Sequence, residues 1–334
     1  MFFTKIVIPI GCDLYGERKN ICCYFVIMLK KGIVYCSTGS HYRIKSEGQF
    51  YECRIKGKFR IKGIKSTNPV AVGDKVSFTI EADKAAVGVI TDIEPRQNYI
   101  IRKSVNLSKQ THIIAANIDQ VFLMITIKTP PTLPAFIDRF LITAKAYEIN
   151  AVLVFNKVDL YDKNELKAMR DLKEIYKKIG YECFEVVAKD VETLAAIKTK
   201  MEAKVSMFSG HSGVGKSTLV NSLSPGLDLK TASVSQQHQQ GQHTTTFAEM
   251  FDLGKSRIID TPGIKGFGVV DIQPEELSGY FLEFAALKGN CKFNNCLHTN
   301  EPNCAIKEAV ESGKIAPSRY KSYLQLLEED SLYR

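Results

Sequence analysis

A stretch in the second half of the chain has the residue types and spacing of a phosphate-binding loop. Residues 210–217 read G-H-S-G-V-G-K-S, between an apolar run and a helix-like segment. In the pattern G-x-x-x-x-G-K-S, glycines let backbone N–H groups converge on phosphate oxygens, beside the positive end of a helix. Lys216 is predicted to reach the β- and γ-phosphates, and the Ser217 hydroxyl to bind Mg²⁺. The residues predicted to line the loop are Gly210, His211, Ser212, Gly213, Val214, Gly215, Lys216, Ser217 and Thr218.

The base of the predicted nucleoside triphosphate follows from a second motif. An apolar run over residues 151–155 ends in N-K-V-D, with Asn156, Lys157 and Asp159 as the predicted contacts. This resembles the guanine-recognition motif of GTPases, in which the Asp carboxylate accepts hydrogen bonds from guanine N1–H and the exocyclic amine. Adenine would leave that carboxylate unpaired, which is costly in a buried site. Alone the motif could be a polar strand end, but beside a phosphate loop it indicates guanine.

A third motif lies in residues 257–263, where the apolar segment R-I-I-D-T-P-G ends in D-x-x-G. Asp260 is predicted to hold Mg²⁺ through water, and the Gly263 N–H to contact the γ-phosphate. The order of the motifs is unusual, because N-K-x-D precedes the phosphate loop here and follows D-x-x-G in ordinary GTPases. A parallel sheet is specified by which strands pack side by side. If the original chain ends are joined and the chain is cut elsewhere, each strand keeps its neighbours and the site is preserved. We therefore predict a circularly permuted GTPase domain.

The segment between the phosphate loop and D-x-x-G is predicted to be a nucleotide-dependent switch. Residues 236–246 read Q-Q-H-Q-Q-G-Q-H-T-T-T, too polar to become ordered without a nucleotide or partner. Thr245 is predicted to complete the Mg²⁺ shell when GTP is bound. Many small GTPases have a Gln after the D-x-x-G glycine that orients the attacking water, but Ile264 stands there. His243 is the nearest candidate for that role, and an ordinary solvated histidine is the alternative.

Near the end of the chain, three cysteines and a histidine have the spacing of zinc ligands. The pattern is Cys-x4-Cys-x-His-x5-Cys, formed by Cys291, Cys296, His298 and Cys304. Three thiolates and one imidazole fit a closed tetrahedral zinc site, and the alternative is unrelated cysteines in a loop. Because a closed site leaves no position for a substrate, we expect a structural zinc ion.

The elements that carry these motifs alternate between strands and helices. Apolar spacing predicts the helices and strands of a doubly wound parallel sheet with the nucleotide at the carboxyl ends of its strands. Helices are predicted at 133–147, 164–179 and 191–201, and strands at 121–125, 151–155 and 181–187. Helices that flank the four metal ligands are predicted at 273–287 and from Ala305 onward. The turn Val187-Ala188-Lys189 lies where GTPases contact the guanine oxygen, but the usual Ser before Ala is Val.

The N-terminal part has a different pattern, with five short strands between residues 32 and 93 that predict a small OB-like barrel. Between Met28 and Lys65 there are ten Lys or Arg against two Glu, a local net charge of +8. Aromatic residues interleave with these charges: Tyr35, Tyr42, Phe50, Tyr51 and Phe59. Basic side chains for phosphates and rings for bases suit single-stranded RNA. Any one ring is more often a core residue, so the RNA prediction rests on the charge.

The whole chain has the composition of a soluble globular protein. Of 334 residues, 45% are hydrophobic and 24% charged, with a net charge of +9. No apolar run approaches about 18 residues, so no membrane span is expected. We predict an atypical N-terminal extension at 1–27, an OB-fold RNA-binding domain at 28–97, a circularly permuted α/β P-loop GTPase domain at 98–270 and an α-helical zinc-binding domain at 271–334. A hinge is predicted at 94–99.

Together, these features resemble the bacterial ribosome small-subunit-dependent GTPase A family over residues 28–334. The resemblance implies a cytoplasmic GTPase that binds the small ribosomal subunit and 16S rRNA near the decoding region, acts late in maturation of that subunit, and hydrolyses GTP to GDP faster when bound. It also implies that His243 positions water, because the family element G-x-H-T-T maps onto residues 241–245. Gln242 stands where Arg is common in the family, and the extension at 1–27 lies outside its pattern.

Two alternatives stay open at this point. A GTP-binding, RNA-binding module with little turnover is favoured by Ile264, whose side chain cannot orient water. A GTPase that serves a membrane or protein partner is disfavoured by the basic barrel and the absence of lipidation signals. We expect a monomer with bound zinc, with Mg²⁺ accompanying GTP, and with no membrane or DNA partner.

Overall fold

The computed structural model describes residues 5–10, 23–55, 69–80, 87–103, 111–224, 248–260 and 272–329. The chain divides into two compact units, Met1–Asn117 with Phe247–Phe251, and Ile118–Thr246 with Asp252–Arg334. Among the helices of the described ranges, none is long and apolar enough to cross a membrane.

The first unit contains a closed five-stranded barrel. Strand β2 pairs with β3, β3 with β4, β4 with β6, β6 with β5, and β5 with β2 again. This circuit confirms the OB-like barrel predicted from the alternating segments. The strands of the unit are β1 (Lys5–Ile10), β2 (Cys23–Ser37), β3 (Tyr42–Ser46), β4 (Gln49–Ile55), β5 (Lys75–Ile80), β6 (Val87–Ile93), β7 (Tyr99–Lys103) and β8 (Thr111–Ala116).

Alternation along β3 separates the core of the barrel from its outer surface. Tyr42 and Ile44 are buried, whereas Arg43 and Lys45, which alternate with them, are partly exposed. This period of two residues is that of a strand with one face on a core. Tyr42 and Ile44 pack in that core with Phe78, so β3 presents its basic residues outward.

Two parts of the first unit differ from the sequence-based expectation. Residues 1–27 showed no clear period, yet β1 pairs antiparallel with the first part of β2, with Lys5 opposite Met28. The predicted hinge is bonded to its surroundings: Arg96 donates to both carboxylate oxygens of buried Asp74 at 2.6 Å, and the Gln97 N–H donates to Asn117 Oδ1 at 3.0 Å. These bonds tie the segment to the barrel.

The second unit contains a parallel sheet, which confirms the doubly wound α/β prediction. Its strand order is β11-β10-β9-β12-β14, and all four neighbouring pairs in this order are parallel. β10 precedes β12 in the chain, so the strand before N-K-x-D comes before the strand of the phosphate loop. The strands of this sheet are β9 (Gln120–Ile125), β10 (Asn150–Asn156), β11 (Glu182–Val186), β12 (Val205–Ser209) and β14 (Ser256–Asp260), whereas β13 (Glu249–Leu253) belongs to the first unit as far as Phe251.

Helices cover the sheet, and α2 begins and ends at recognisable capping residues. The helices associated with it are α1 (Pro134–Ala146), α2 (Lys163–Ile179), α3 (Val191–Met201) and α4 (Lys216–Leu223). Asp162 and Glu165 form a capping box at the start of α2, and Gly180 with φ of 107° ends it. One apolar cluster packs α3 and α4 against β9, β10 and β12. The positions of these helices follow the apolar spacing of the sequence.

The last part of the chain is helical and packs against α1. Its helices are α5 (Pro274–Leu277), α6 (Leu282–Ala285), α7 (Ala305–Glu311) and α8 (Pro317–Glu329). Ile142 of α1 belongs to the same apolar cluster as Phe281, Phe284 and Tyr323. The sequence predicted one helix over 273–287, and the structure instead has two single turns with a 3₁₀ turn at Ser278–Tyr280 between them.

Candidate functional site

The predicted phosphate loop lies between β12 and α4 and needs its glycines. Gly210 has φ of 143°, and a Cβ there would lie 2.7 Å from the carbonyl oxygen of Met124. Gly215 has φ of 99° and caps α4, and a Cβ there would collide with the side-chain amide of Asn156. The loop therefore lies directly against the ends of β9 and β10.

Lys216 holds its amine over this loop. Its Nζ donates hydrogen bonds to the carbonyl oxygens of Gly210 at 2.7 Å and His211 at 2.8 Å. Burial lowers the pKa of the Lys216 amine, and the nearby charge of Asp260 acts in the opposite direction. Asp260 is the last residue of β14, so the predicted phosphate-binding amine and the predicted Mg²⁺-binding carboxylate interact at one edge of the sheet.

The Asn156 side chain joins the phosphate loop to the turn that contains Ala188. It is buried, its Nδ2 donates to the carbonyl oxygen of Val214 at 2.7 Å, and its Oδ1 accepts from the N–H of Ala188 at 3.1 Å. Val214 belongs to the phosphate loop, and Ala188 belongs to the turn that matched GTPases only weakly in sequence. One amide thus links the three loops expected around a guanine nucleotide.

Lys157 and Asp159 have different environments, although both belong to the same motif. Lys157 has φ of 63°, which is uncommon for a residue with a side chain. Its Nζ donates to the carbonyl oxygens of Gly213 at 2.7 Å and Thr129 at 2.6 Å. Asp159 lies in the 3₁₀ turn Val158–Leu160 and is exposed, so its carboxylate is accessible to a ligand.

His211 connects the phosphate loop to α1. Its ring lies 3.9 Å from the ring of Phe136, centroid to centroid, with an angle of 33° between the planes. Burial lowers the pKa of the His211 imidazole, and the charge of Lys216 lowers it further. The neutral form is therefore favoured in the folded protein.

The predicted hydrolysis machinery falls partly outside the described residues. His243, Thr245 and Gly263 lie outside them, together with Gln242 and Ile264. Among the described residues, Ser217 and Thr218 follow Lys216 in the first turn of α4, and Ser212 is exposed in the loop.

The four predicted metal ligands come together. The donor atoms of Cys291, Cys296, His298 and Cys304 all lie within 4.8 Å of one another. The His298 Nδ1 is 3.3 Å from the Cys304 sulfur and 3.6 Å from the Cys291 sulfur. A tetrahedron with metal–sulfur bonds of about 2.3 Å has edges of about 3.8 Å, so the donors fit a divalent metal ion.

The surroundings of the cluster fix its peptide loop. The Tyr320 and Tyr323 hydroxyls donate to the carbonyl oxygens of His298 and Leu297, each at 2.7 Å. Burial raises the pKa of the Cys296 thiol to about 12, so the thiolate form needs a cation beside it. The nitrogen of His298 that faces the sulfurs is Nδ1. Its other ring nitrogen, Nε2, is buried without a hydrogen-bond partner among the described residues.

A buried ionic cluster joins the helices of this metal centre to α1 and α2. Arg319 of α8 donates to Asp138 of α1 at 2.5 Å and to Glu283 at 2.7 and 3.1 Å. The Tyr176 hydroxyl of α2 donates to the same Asp138 oxygen at 2.6 Å. Burial alone would lower the pKa of the Arg319 guanidinium, but the two carboxylates outweigh it and raise the pKa.

One outer face of the barrel carries an exposed ring among cations, which we call the Phe50 face (Tyr35, Arg43, Lys45 and Phe50). Phe50 is 47% exposed, and its ring lies 5.4 Å from the Arg43 guanidinium and 5.4 Å from the Lys45 amine. Tyr35 meets the Phe50 ring edge-on at 5.3 Å. Arg43 also forms an ion pair with Glu249 at the start of β13.

Among the five aromatic residues noted in the basic N-terminal sequence, those other than Phe50 are not exposed wherever the structure describes them. Tyr42 and Tyr51 are buried in the apolar core of the barrel, Tyr35 is buried against the Phe50 ring, and Phe59 lies outside the described ranges. The expectation that any one ring is more often a core residue is confirmed for Tyr42 and Tyr51.

Comparison with known proteins decides the family. A model of the RsgA GTPase matches residues 93–270, and a model of the RsgA N-terminal domain matches residues 31–90. The chain belongs to the RsgA family of GTPases. A small ribosomal subunit biogenesis GTPase RsgA from Christiangramia forsetii is 64% identical over 308 residues, covering 91% of this chain and 98% of that protein. Its counterpart from Flavobacterium johnsoniae is 61% identical, covering 90% and 93%.

Solved structures of similar proteins share the fold of this RsgA-family chain. YjeQ from Thermotoga maritima has a TM-score of 0.73 at 36% identity and covers 90% of this chain and 98% of that one. YloQ, described as a circularly permuted GTPase, has a TM-score of 0.72 at 29% identity and covers 95% and 99%. The family assignment confirms the predicted permuted GTPase, which the order of β10 and β12 displays directly.

Sequence reasoning missed residues that support the motifs from outside them. Phe136, which stacks on His211, was predicted only as an apolar position of a helix. Tyr161 and Arg319 make bonds that join separate segments, and neither belongs to a motif. Only Tyr161 lies close to a motif in sequence, and that position does not identify its partners.

Proposed function

We propose that this RsgA-family chain binds GTP and the small ribosomal subunit and assists the late maturation of that subunit, with hydrolysis stimulated by the subunit. The observation that carries the nucleotide part is the Asn156 amide, which bonds the phosphate loop and the Ala188 turn. In this proposal Asp159 binds the guanine base and Lys216 the phosphates. The Ser217 hydroxyl would hold Mg²⁺, which supplies positive charge to the phosphate oxygens.

The ribosomal partner is supported by two kinds of observation. Relatives that cover more than nine-tenths of this chain carry the name small ribosomal subunit biogenesis GTPase. The Phe50 face offers cations for phosphates and one exposed ring for a base. We infer 16S rRNA near the decoding region as the partner, a cytoplasmic location and a monomeric state, with no DNA or membrane partner.

The hydrolysis step is assigned to residues of the switch segment. His243 would position the attacking water, and Thr245 would complete the Mg²⁺ shell. Asp260 would hold the Mg²⁺ through water, and the Gly263 N–H would contact the γ-phosphate. This assignment rests on the G-x-H-T-T element and on the proximity of Asp260 to Lys216. We propose domain bounds of 1–27, 28–97, 98–270 and 271–334.

We further propose that the metal of the Cys₃His cluster is one structural zinc ion. Three sulfur donors and one imidazole suit zinc better than magnesium or calcium, which prefer oxygen. Metal analysis of the purified protein is expected to give about one zinc per chain, and Cys296→Ser is expected to reduce that content. Another metal at the same stoichiometry would contradict the zinc assignment.

The test of the whole proposal is GTP turnover by the purified protein with and without small ribosomal subunits. We expect strong stimulation by the subunits, lost in His243→Ala while GTP still binds. His238→Ala, a histidine in the same polar segment, is the matched control and should retain stimulation. Turnover that does not respond to subunits would favour the alternative of a GTP-binding RNA module, to which Ile264 points.

A further inference from the structure

The Tyr161 hydroxyl joins the ends of two strands that border the nucleotide site. It donates to the carbonyl oxygen of Asn156 at 2.7 Å and accepts from the N–H of Ile127 at 2.9 Å. Asn156 ends β10, and Ile127 follows β9. Both hydrogen-bonding roles of the hydroxyl are thus used on backbone groups of different segments.

This hydroxyl closes the turn that carries Asp159. The turn leaves β10 at Asn156, passes through Lys157 in its left-handed conformation and the 3₁₀ turn Val158–Leu160, and returns at Tyr161. Its first residue is held by the Asn156 side chain, and its last by the Tyr161 hydroxyl. Between these two points, the Leu160 N–H donates to the Lys157 carbonyl oxygen at 3.0 Å.

Asp159 depends on this turn for its position, because its side chain is exposed and gains no support from burial. A residue with a side chain keeps a left-handed backbone conformation only where its surroundings hold it. The Lys157 backbone therefore needs both the Asn156 side chain and the Tyr161 hydroxyl. The Tyr161 ring is half-buried, and burial raises the pKa of its phenol, so the hydroxyl remains a donor at neutral pH.

We propose that Tyr161 is a positioning residue for guanine selectivity, because it holds the turn that presents Asp159 to the base. The inference rests on the function proposed above. A carboxylate that accepts two hydrogen bonds from one base must be placed accurately, and a small displacement weakens both. Inosine lacks the exocyclic amine of guanine, so the affinity ratio of GDP to inosine diphosphate reports how well Asp159 meets that amine.

The test compares Tyr161→Phe with wild type in the full-length chain, by calorimetric titration with GDP and with inosine diphosphate. We expect GDP affinity to fall about three- to tenfold, the range for loss of one neutral hydrogen bond, with a smaller loss for inosine diphosphate. The affinity ratio should therefore fall. Tyr42→Phe is the matched control, since its hydroxyl donates to the Gly39 carbonyl oxygen at 2.9 Å in the barrel, and it should leave both affinities unchanged.

A second comparison separates positioning from a general loosening of the fold. In an Asp159→Ala background the selectivity group is absent, so adding Tyr161→Phe should leave the affinity ratio unchanged. Equal losses of both affinities in Tyr161→Phe, with the wild-type ratio retained, would overturn the inference and leave the proposed function standing. A wild-type protein that does not prefer GDP over ADP would overturn the proposed guanine site and this inference with it.

Discussion

At the scale of single residues, the candidate nucleotide site is held together by side chains that bond to the backbone of other loops. Asn156 bonds to Val214 and Ala188, and the Lys157 amine bonds to Gly213 and Thr129. Such hydrogen bonds hold neighbouring loops together where no helix or strand pairing joins them. Polar motif residues therefore shape the candidate site, in addition to the ligand contacts proposed for them.

The pH dependence of stability should reveal the environment of His211. Burial depresses its pKa below the unfolded value of 6.5, so the folded state binds fewer protons than the unfolded state. The stability from neutral His211 is present above that value and is lost as pH falls through the folded pKa. Between about pH 7 and about pH 5, wild type should lose more free energy of unfolding than His211→Asn does, measured by urea denaturation.

His41→Asn is the control for this measurement, because His41 is exposed on the barrel. Both variants retain the metal ligands, so any contribution of the metal centre cancels in the comparison. The same loss of stability in wild type and in His211→Asn would show that His211 does not contribute.

The residues that could be predicted from sequence are those whose spacing is itself the signal. Lys216, Asp159 and the four metal ligands stand at fixed distances along the chain from other members of their motifs. Tyr161 and Arg319 could not be predicted, since each acts through a partner that is distant in sequence or only a backbone group. No local pattern of residue types encodes such a pairing.

At the scale of elements, β3 and the start of β13 together determine the charge of the Phe50 face. Arg43 and Lys45 point outward from β3, and Glu249 of β13 pairs with Arg43. Glu249 lies opposite Cys36 of β2, so this carboxylate is placed by strand pairing. Four residues before it in the sequence is Thr245, at the end of the proposed switch element.

Glu249→Gln is expected to strengthen RNA binding. Removing the carboxylate leaves Arg43 available to a phosphate, so affinity for a single-stranded RNA oligonucleotide should rise and the salt slope should steepen by about 1. The measurement is binding at several salt concentrations. Glu185→Gln removes a similar ion pair, with Lys173, from the second unit and should change neither quantity. Weaker binding by Glu249→Gln would contradict the role given to Arg43.

Most elements followed from periodicity, and the exceptions have identifiable causes. The helices over residues 133–147, 164–179 and 191–201 were predicted within a residue or two, because their apolar spacing is regular. The segment 273–287 breaks into short turns around Gly279, whose low helix propensity costs about 1 kcal/mol. Pairing of β1 with β2 could not be predicted, since residues 1–27 lack the alternation that identifies a strand.

At the scale of the second unit, α1 is the element shared by the nucleotide site and the metal centre. Phe136 contacts His211, Asp138 binds Arg319, and Ile142 packs in the apolar cluster of the last four helices. All three residues belong to α1, a helix of 13 residues. The metal-binding helices therefore rest on the same helix as the phosphate loop.

Arg319→Leu should destabilise the protein by about 3–5 kcal/mol, because it leaves buried Asp138 and Glu283 without a counter-charge. Arg170→Leu, on the exposed side of α2, is the control and should change stability by about 0.5 kcal/mol or less. Urea denaturation gives both values. Adding Asp138→Leu to Arg319→Leu should recover part of the loss, and a further loss of full size would contradict the assignment of the cost to an unpaired charge.

The position of α1 also sets a thermodynamic condition on the whole unit. Binding free energies at two linked sites are reciprocal, so a change in GDP affinity on metal removal must equal the change in metal affinity on GDP binding. If metal removal weakens GDP binding about tenfold, bound GDP must strengthen metal binding by the same factor. The metal content at equilibrium with a chelator, measured with and without GDP, therefore gives the same coupling between the nucleotide site and the metal cluster through α1.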